Sequence, residues 1–534
     1  MTGAQHVKRL EELKSLRAPL ETLLREAYDY TFPQRGEKLG QNILGDGALS
    51  AASARSKQAR IYDGTAARAV QLLASMLLGG LTPANSRWAG LDIPNIEDDS
   101  DARKWLDGAA EVIWKNIHAS DYDVAAFEAF NDMIISGMFV LFVEPGKEDS
   151  PYSFQQWPLH SVYCADSTGK GGVNTVYRSF ALTAEQAVNE YGDKVSDEVK
   201  TAAEKKPDTR FEFVHAIYPR KKPKATELPI ASEHIEVKKK NIVRKAGYHE
   251  MPVMVPRWFA IPDSVYSLGP VHVALPDIRS INEVVKLVLS NADLAIAGMW
   301  GAVDDGVLNP KAVTVGPRKI IPVANKDSIF PLTSGARFDV SALEIERLQR
   351  SIREKLMADQ LQPQDGPAMT ATEVHARVQL IRQQMGPMYG RLQSEFLQPL
   401  IKRCLGIAMR SGALATPPAE IQDRVSFVTY TSPLARAQKY EDVNAIDRLE
   451  ANIAALAANV GMPQALDIYD VDKALRKKAV LLGVPAEVLR SEKEVKAIRE
   501  DRAQAMQEQQ AMAQAHELQT KAVPALLKGG KSAA

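Results

Sequence analysis

The chain has 534 residues and a mass of 58.6 kDa, which is too large for one ordinary hydrophobic core, so several structural regions are expected. Hydrophobic residues make up 45% and charged residues 25%, a globular balance that excludes a largely disordered chain. Because 66 basic residues are balanced by 66 acidic ones, the chain lacks the basic surplus of proteins that grip nucleic acid tightly.

The cysteine content and the apolar runs indicate an intracellular, non-membrane class of protein. Cys164 and Cys404 lie far apart in sequence and predict a reducing compartment without a disulfide framework. No cationic segment followed by an apolar one opens the chain, so no secretory signal is expected. The most apolar run, 69–78, is shorter than the roughly 20 residues of a membrane span and predicts a buried helix.

The N-terminal quarter is predicted to be mainly helical. Apolar residues three or four positions apart predict an amphipathic helix over 7–30, and further helices are expected over 62–78, 101–118 and 123–137. Gly79-Gly80 is expected to close the second of these helices as a C-cap, and the Gly- and Ser-rich segment 36–56 is expected to be a loop.

Short alternating segments predict a β-rich middle of the chain. A buried strand is expected at 138–143, and further strands are expected over 173–180, 211–218 and 234–243. One helix is expected among them, over 183–191.

Two long helices are predicted around a compact β insert. After Pro276, apolar residues three or four positions apart form a coiled-coil-like stripe that reaches Gly298, where the first helix is expected to end. Ser341-Ala-Leu-Glu344 is a capping box and predicts the start of the second helix. The intervening residues 299–340 contain short β-like pieces, so the arrangement predicts a rod with a head.

The C-terminal third is predicted to be helical apart from a loop at 362–369 and a strand at 426–431. The capping box Thr370-Ala-Thr-Glu373 opens a helix over 370–411, in which Gly386-Pro387 predicts a kink. Later helices are expected over 441–460, 470–482 and 491–522, and residues 527–534 are expected to be disordered.

The sequence shows no residue pattern that supports catalysis. Ser167-Thr-Gly-Lys-Gly-Gly172 resembles a phosphate-binding loop, but Cys164 stands where the first Gly is required and Gly171 where Ser or Thr is required. A plain turn is therefore favoured. The nine histidines have no metal-binding spacing, and Asp304-Asp305 and Glu97-Asp98-Asp99 are interpreted as solvated turns. No catalytic residue, metal site or cofactor is predicted.

Two basic runs flank the β-rich middle, Lys221-Lys222 with Lys224, and Lys238-Lys-Lys240. Contact with nucleic acid or with a capsid is one interpretation of these runs. Exposed hairpin tips are the favoured interpretation.

Four segments, in order, carry a resemblance to a known family. They are Tyr62 through Pro83 with Ser86-Arg-Trp88; Val255-Pro-Arg-Trp258 and Tyr266-Ser-Leu-Gly-Pro270 to Ala274-Leu-Pro-Asp277; Thr370-Ala-Thr-Glu-Val374 with Met385-Gly-Pro387 and Leu392-Gln-Ser-Glu395; and Tyr430-Thr-Ser-Pro-Leu-Ala-Arg-Ala-Gln438. Together they resemble the podovirus-type bacteriophage head-to-tail connector, or portal, protein family over roughly residues 5 to 440. Ser267 departs from the Gly expected there, which leaves the geometry of that turn open.

The resemblance implies an α+β, mainly helical portal fold, of which about twelve subunits form a ring around a central channel. The implied regions are a wing at 1–275, a stem helix at 276–298, a clip at 299–340, a second stem helix at 341–361, a tunnel loop at 362–369, a kinked wing helix with a strand at 370–435, a helical crown at 436–500, and a C-terminal helix with a flexible tail at 501–534.

The resemblance also implies a structural, non-enzymatic function at a unique capsid vertex. Double-stranded DNA would be packaged through the ring and later ejected. The implied partners are the terminase large subunit, the major capsid and scaffolding proteins, tail adaptor proteins and internal core proteins. The protein would be assembled in the host bacterial cytoplasm and would reside at the portal vertex of the virion.

Candidate DNA-facing residues follow from this plan. The acids of the second stem helix would repel phosphate if they faced the channel, and they are Glu344, Glu346, Glu354 and Asp359. Alternatively, they face solvent or pair with Arg347, Arg350, Arg353 or Lys355. The tunnel-loop candidates are Gln362, Gln364, Asp365 and Met369, and the clip candidates for DNA or partner contact are Lys311, Arg318, Lys319 and Lys326.

Two other classes of protein remain as alternatives. A packaging ATPase or nuclease would require a nucleotide loop or a metal cluster, and the sequence shows neither. A scaffold or internal core protein should be charged, poor in aromatic residues and mostly helical, which the β-rich middle and the six Trp residues argue against.

Overall fold

The computed structural model describes residues 1–41, 43–44, 47–93, 101–147, 150–169, 171–297, 299–302, 329–332, 338–358, 386, 388–419, 421, 427–430, 443–455, 469–482, 484, 490, 494–509 and 511–512. The chain divides into two compact units, Met1–Ser86 with Lys115–Ala413, and Arg87–Trp114 with Leu414–Ala534. Among the described residues, no helix combines the length and the apolar composition that crossing a membrane requires.

Helices account for most of the described secondary structure, which confirms the expected mainly helical α+β class. They are α1 Gly3–Asp29, α2 Pro33–Gly36, α3 Gly47–Gln58, α4 Thr65–Leu81, α5 Asp101–His118, α6 Tyr122–Ser136, α7 Ala184–Tyr191, α8 Asp197–Lys205, α9 Pro270–Ala297, α10 Phe338–Lys355, α11 Gln398–Arg410 and α12 Val471–Leu482. Residues 443–455 and 494–509 are also helical.

The strands in the described part of the chain form five antiparallel groups. They are β1 Ala89–Asp92, β2 Leu141–Pro145, β3 Tyr152–Gln156, β4 Val162–Ala165, β5 Thr175–Thr183, β6 Arg210–Pro219, β7 Ile230–Glu236, β8 Asn241–Tyr248, β9 Val253–Met254, β10 Phe259–Ala260, β11 Ser267–Leu268, β12 Met299–Ala302, β13 Ile329–Leu332 and β14 Phe427–Tyr430. The largest sheet has the order β4-β5-β6-β7-β8, and a second sheet has the order β3-β2-β9.

Helix α1 covers one face of the five-stranded sheet. A complete capping box between Thr2 and Gln5 starts the helix. Its buried Leu10 and Leu13 pack in one core with Tyr177 of β5 and Val214 of β6. Side chains alternate along each strand, so the neighbouring Phe213 belongs to a separate core with α7 and α8 on the opposite face.

Two predictions for the N-terminal helices were wrong. Residues 47–58 of the expected loop form α3. Helix α4 runs through Gly79 and Gly80 and ends at Leu81, so these glycines do not cap it. Leu77 and Leu81 are almost fully buried, and their burial outweighs the cost of about 1 kcal/mol for each glycine in a helix.

The β-rich middle is confirmed, although its boundaries differ from those predicted. The expected strand over 234–243 is divided into β7 and β8 by a tight turn, in which Lys240 adopts a left-handed φ of 55°. The expected helix over 183–191 is confirmed as α7, and α8 is a second helix in this region. Strand β2 begins at Leu141, three residues after the predicted start.

Helices α9 and α10 begin before their predicted starts. Helix α9 begins at Pro270, a residue that needs no N–H partner in a first turn, and it includes Pro276. Val271 and Ala274 are buried ahead of Pro276, so the apolar stripe extends through the predicted boundary at this proline. Helix α10 begins at Phe338, and Ser341 is therefore inside it rather than at its N-cap.

The second unit contains the strand that was expected at 426–431. Strand β14 pairs antiparallel with β1, from Ala89 opposite Tyr430 to Asp92 opposite Phe427. In the same unit, Lys478 of α12 forms an ion pair with Asp447 at 2.6 Å, which ties α12 to the helix over 443–455. The predicted helix over 470–482 is confirmed.

Candidate functional site

Helices α9 and α10 form an antiparallel pair joined by a small β insert. Strands β12 and β13 follow α9 and precede α10, and they pair from Met299 opposite Leu332 to Ala302 opposite Ile329. At the other end of the pair, Asp277 near the start of α9 contacts Lys355 at the end of α10. The inward-facing residues of α10, Leu348 and Ile352, are buried. The predicted pair of helices around a β insert is therefore present.

Asp277 holds the two helices together at this end. Its Oδ2 accepts hydrogen bonds from Ser351 Oγ and from Lys355 Nζ, both at 2.6 Å. Burial alone would raise the pKa of Asp277, but the hydrogen bonds from Lys355 and Ser351 outweigh burial and lower the pKa from 3.8. The Asp277 side chain therefore stays ionised in the pair at neutral pH.

The segment before α4 binds both helices. The backbone N–H of Tyr62 donates to Asn282 Oδ1 of α9 at 2.8 Å, and Asn282 Nδ2 donates to the carbonyl of Arg60 at 3.2 Å. Asp63 Oδ2 accepts from Gln349 Nε2 of α10 at 2.8 Å. Tyr62-Asp63, the start of the first family-like segment, thus fixes the helix pair to the N-terminal helices.

Two acids of α10 are paired with arginines of the same helix. Glu344 forms an ion pair with Arg347 at 2.5 Å, and the hydrogen bond from Arg347 lowers the pKa of Glu344. Glu346 pairs with Arg350 at 3.2 Å. Glu344 and Glu346 therefore pair with arginines, which was the alternative to facing the channel. Glu354 is exposed.

Helix α10 ends in a Schellman motif centred on Met357. The N–H of Ala358 donates to Arg353 O at 2.7 Å, and the N–H of Met357 donates to Glu354 O at 3.0 Å. Met357 has a φ of 56°, a left-handed conformation that glycine adopts without strain and methionine does not. The helix therefore stops before the predicted boundary at residue 361.

Many of the predicted site residues lie outside the part of the chain that the structure describes. They are Asp359, the tunnel-loop candidates Gln362, Gln364, Asp365 and Met369, and the clip candidates Lys311, Arg318, Lys319 and Lys326. The predicted kink at Gly386-Pro387 also lies outside the described part of the chain, because Pro387 is not described. Their roles stay predictions.

A second set of contacts joins the second and third family-like segments, and sequence reasoning missed it. Arg257 bonds to Glu395 through Nη2 at 2.6 Å and through Nε at 3.3 Å. Arg391 Nη1 donates to the carbonyl of Trp258 at 3.1 Å. Glu395 lies in a π-helical turn, Gln393–Leu397, that precedes α11. The sequence held a signal for these contacts. Arg257, Trp258 and Glu395 belong to the segments that resemble the family, and Arg391 precedes one of those segments directly.

Ser267 has a specific role at the departure from the family pattern. Its side chain is buried, and its Oγ donates to the carbonyl of Gly137 at 2.6 Å. Two backbone segments approach each other closely at Gly269, and this position requires glycine. A Cβ added there would lie 2.3 Å from the carbonyl oxygen of Ile134. The turn is therefore held by Ser267 and Gly269 together.

The interpretation of the glycine-rich loop as a turn is confirmed. Asp166 accepts hydrogen bonds from the N–H groups of Thr168 and Gly171, both at 2.7 Å, so its carboxylate occupies donors that a phosphate would need. Lys170 is not described. In the described ranges, no three His, Cys, Asp or Glu side chains are grouped so that they could hold a metal ion.

One basic run lies on a hairpin tip. Lys238 and Lys239 lie in the turn between β7 and β8, and both form ion pairs with Glu198 of α8, Lys239 at 3.7 Å. Lys221 and Lys222 are exposed in the connection between β6 and β7. The favoured interpretation of these runs as exposed turns agrees with both positions.

The sequence is similar to portal proteins over almost its whole length. The family described as bacteriophage head to tail connecting protein matches residues 4–489. The probable portal protein of Bordetella phage BPP-1 is 26% identical over 94% of this chain and 91% of that protein. The portal protein of Salmonella phage epsilon15 is 26% identical over 95% and 92%, and that of Escherichia phage T7 is 22% identical over 87% and 84%.

Solved structures give a weaker likeness. A chain in the virion of a native gene transfer agent particle is 14% identical, with a TM-score of 0.32 over 77% of this chain and 93% of that chain. The family assignment rests instead on the match over residues 4–489, which includes α9, α10 and the Arg257 and Glu395 contacts. The chain belongs to the family of bacteriophage head-to-tail connecting proteins.

Proposed function

We propose that this chain is the subunit of a ring of about twelve copies at one capsid vertex, through which double-stranded DNA is packaged and later ejected. The proposed partners are the terminase large subunit, major capsid and scaffolding proteins, tail adaptor proteins and internal core proteins. In this role the chain supplies a passage and docking surfaces, and a separate motor supplies the energy. The protein would be assembled in the host bacterial cytoplasm and would reside in the virion.

The observation that carries the proposal is the antiparallel helix pair of α9 and α10, fixed at one end by Asp277 and Asn282. At about 1.5 Å per residue, helices of 28 and 18 residues form a stiff element long enough to line a passage. The β insert at the far end of the pair supports a docking role for that end.

Exposed leucines on the helix pair support contact between neighbouring copies. Leu287 and Leu289 of α9 are each 53% exposed, and Leu343 of α10 is 70% exposed. A ring uses two different surfaces of each copy, so apolar residues outside the core of one copy have a natural partner in the next copy. We place these three leucines at the subunit interface.

The first experiment measures the mass and shape of the purified protein by mass photometry and negative-stain electron microscopy. We expect rings of about twelve copies with an open centre. The double variant Leu287→Glu with Leu343→Glu should shift the protein towards monomers, because burying a carboxylate without a partner at an interface is costly.

The matched control is Leu16→Glu on α1, at a side chain that is 66% exposed. This variant should form rings as the natural protein does. A natural protein that stays monomeric under capsid-assembly conditions would contradict the proposed function. Rings that form equally well with and without the double substitution would contradict only the interface.

The charge of α10 allows a second test. If Glu344, Glu346 and Glu354 face the passage, their replacement by Gln leaves Arg347 and Arg350 unbalanced, and the ring should retain duplex DNA more strongly at low salt. The control replaces the exposed Asp193 and Asp197 with Asn, which removes charge from a different part of the surface. Equal DNA retention by both variants would place the α10 acids away from the passage.

A further inference from the structure

Four basic side chains, two arginines and two histidines, form a row across the five-stranded sheet. In the strand register, Arg178 of β5 lies opposite His215 of β6, His215 lies opposite His234 of β7, and His234 lies opposite Arg244 of β8. Their face of the sheet is opposite to the one that α1 covers, because Tyr177 and Val214 point to the α1 side. The rings of His215 and His234 are 4.1 Å apart.

This row borders a cavity of about 510 Å³, a volume typical of small-molecule sites. Five aromatic side chains line the same cavity, and they are Phe142, Trp157, Phe180, Tyr191 and Tyr248. The walls come from the five-stranded sheet, from β2 and β3, and from α7. The cavity therefore combines an apolar, aromatic surface with a line of basic side chains, of which the two arginines carry charge.

Arg178 differs from the other members of the row because no described residue forms an ion pair or a hydrogen bond with it. Arg244 forms an ion pair with Glu190, at 3.1 Å, and His215 and His234 bond to Ser232 and Tyr191. In contrast, Arg178 Nε is buried and has no hydrogen-bond partner. Burial lowers the pKa of Arg178 to about 10, and the opposing effects of Tyr191 and of the Glu144 carboxylate do not outweigh burial.

Aromatic rings satisfy only the faces of the Arg178 guanidinium. Its Cζ lies 4.6 Å from the centre of the Trp157 ring and 5.4 Å from that of Phe180. These cation–π contacts offset part of the cost of burial, but rings stacked on the faces of a guanidinium accept no hydrogen bond from the N–H donors in its plane, and Nε is left without a partner. The planar edge of Arg178 is suited to a carboxylate, which accepts two parallel N–H bonds.

The acids of the cavity have other partners. Glu144 Oε1 accepts a hydrogen bond from Tyr248 at 2.8 Å, and Glu190 pairs with Arg244. Burial lowers the pKa of His234 to about 4 and that of His215 well below 6.5, so both rings are neutral at pH 7. Glu144 and Glu190 balance the two arginines in total charge, so the case for a carboxylate ligand rests on the unpartnered Nε of Arg178 and not on a net positive charge.

We propose that this cavity binds a small carboxylate, whose charged group bonds to Arg178 and whose planar or apolar body packs against the aromatic side chains. The site is separate from the helix pair of α9 and α10, and the proposal does not depend on passage of DNA. The ligand is a free small molecule, because the cavity has walls on several sides and a size that suits one.

The test uses isothermal titration calorimetry with the assembled full-length protein and three probes at constant ionic strength. Benzoate has the charge and the planar body, acetate has the charge alone, and benzyl alcohol has the ring alone. We expect benzoate to bind more tightly than either of the others. Arg178→Gln should weaken benzoate binding about tenfold or more, because it removes a charge-assisted pair.

The matched control is Arg210→Gln, at an exposed arginine on β6 of the same sheet, and it should leave benzoate binding unchanged. Thermal unfolding without ligand checks the fold of the variant. Since Arg178→Gln removes a partly buried cation whose Nε lacks a hydrogen-bond partner, the variant should be at least as stable as the natural protein. Arg178→Met supplies a second variant with the same expected loss of binding.

Three outcomes would overturn the proposal. The first is that the natural protein binds no benzoate at high millimolar concentrations. The second is that Arg178→Gln and Arg178→Met bind it as tightly as the natural protein does. The third is that unassembled subunits bind benzoate and assembled rings do not, because a group of the neighbouring copy would then occupy the cavity.

Discussion

Arg257 and Glu395 are 138 residues apart in sequence and make three hydrogen bonds with each other. The Arg257 guanidinium bonds to both carboxylate oxygens of Glu395, and the backbone N–H of Arg257 also donates to Glu395 Oε2 at 3.0 Å. Arg257 is only 7% exposed. The pair connects the segment before β10 to the π-helical turn before α11, so two distant parts of the chain depend on one carboxylate.

Replacement of Glu395 by Gln should lower the free energy of unfolding by about 2 kcal/mol, because it leaves Arg257 buried without a counter-charge. The measurement is urea denaturation of the unassembled subunit. The control is Asp193→Asn, which breaks an exposed pair with Lys200 and should cost less than about 0.5 kcal/mol. Equal effects of the two substitutions would contradict a special role for the buried pair.

Gly269→Ala should destabilise the fold by about 3 kcal/mol or prevent folding, because overpacking against backbone cannot relax by a rotamer change. Its Cβ would lie 2.3 Å from the carbonyl oxygen of Ile134 and 2.8 Å from the Gly137 nitrogen. At Gly64, an added Cβ meets no atom within 4 Å. Gly64→Ala should therefore be almost neutral in the same thermal unfolding experiment, and a comparable loss there would refute the steric explanation.

Asp277→Asn should lower the free energy of unfolding at pH 7 by about 0.5–1 kcal/mol, a range that allows for solvent screening of a partly exposed pair with Lys355. The pKa of Asp277 is lowered in the folded state, so the contribution is present above the unfolded pKa and is lost as the pH falls through the folded pKa. Denaturation curves at pH 7 and at pH 3 or below should show the difference shrinking at low pH. A difference that is the same at both pH values would contradict the ion pair.

Met357→Gly should stabilise the end of α10 relative to Met357→Val by about 1–2 kcal/mol. Glycine adopts the φ of 56° without strain, whereas a β-branched side chain at this φ is strongly disfavoured. The control is Met409→Val in α11, where methionine has ordinary helical geometry and valine should cost only about 0.4 kcal/mol. Thermal unfolding of the three variants measures the differences, and Val and Gly at 357 with the same stability would exclude the strain.

The positions of most helices and strands could be predicted because their apolar residues repeat with a clear period. Helix α1, helix α5 and the strand β14 agree with the expected ranges within a few residues. The errors occurred where tertiary burial outweighed a local signal. Gly79-Gly80 and Pro276 are both usual helix breakers, and in each case buried residues on both sides keep the helix intact.

The contacts of the candidate site could be predicted only in part. Pairing of Glu344 with Arg347 follows from their spacing of three residues on one helix. The contacts of Asp277 with Lys355 and of Arg257 with Glu395 join residues 78 and 138 positions apart. Local periodicity carries no information about such distant partners.

The sequence by itself determined the family, the order of the helices and strands, and the presence of two long helices around a β insert, because motifs and periodicities are local properties of the chain. Only the tertiary structure decided which side chains meet, where α4, α9 and α10 begin and end, and that Nε of Arg178 is buried without a hydrogen-bond partner. The reason is physical. The free energies of burial and of ion pairing depend on groups that are distant in sequence and that the fold brings together. They are therefore not set by the adjacent residues of the chain.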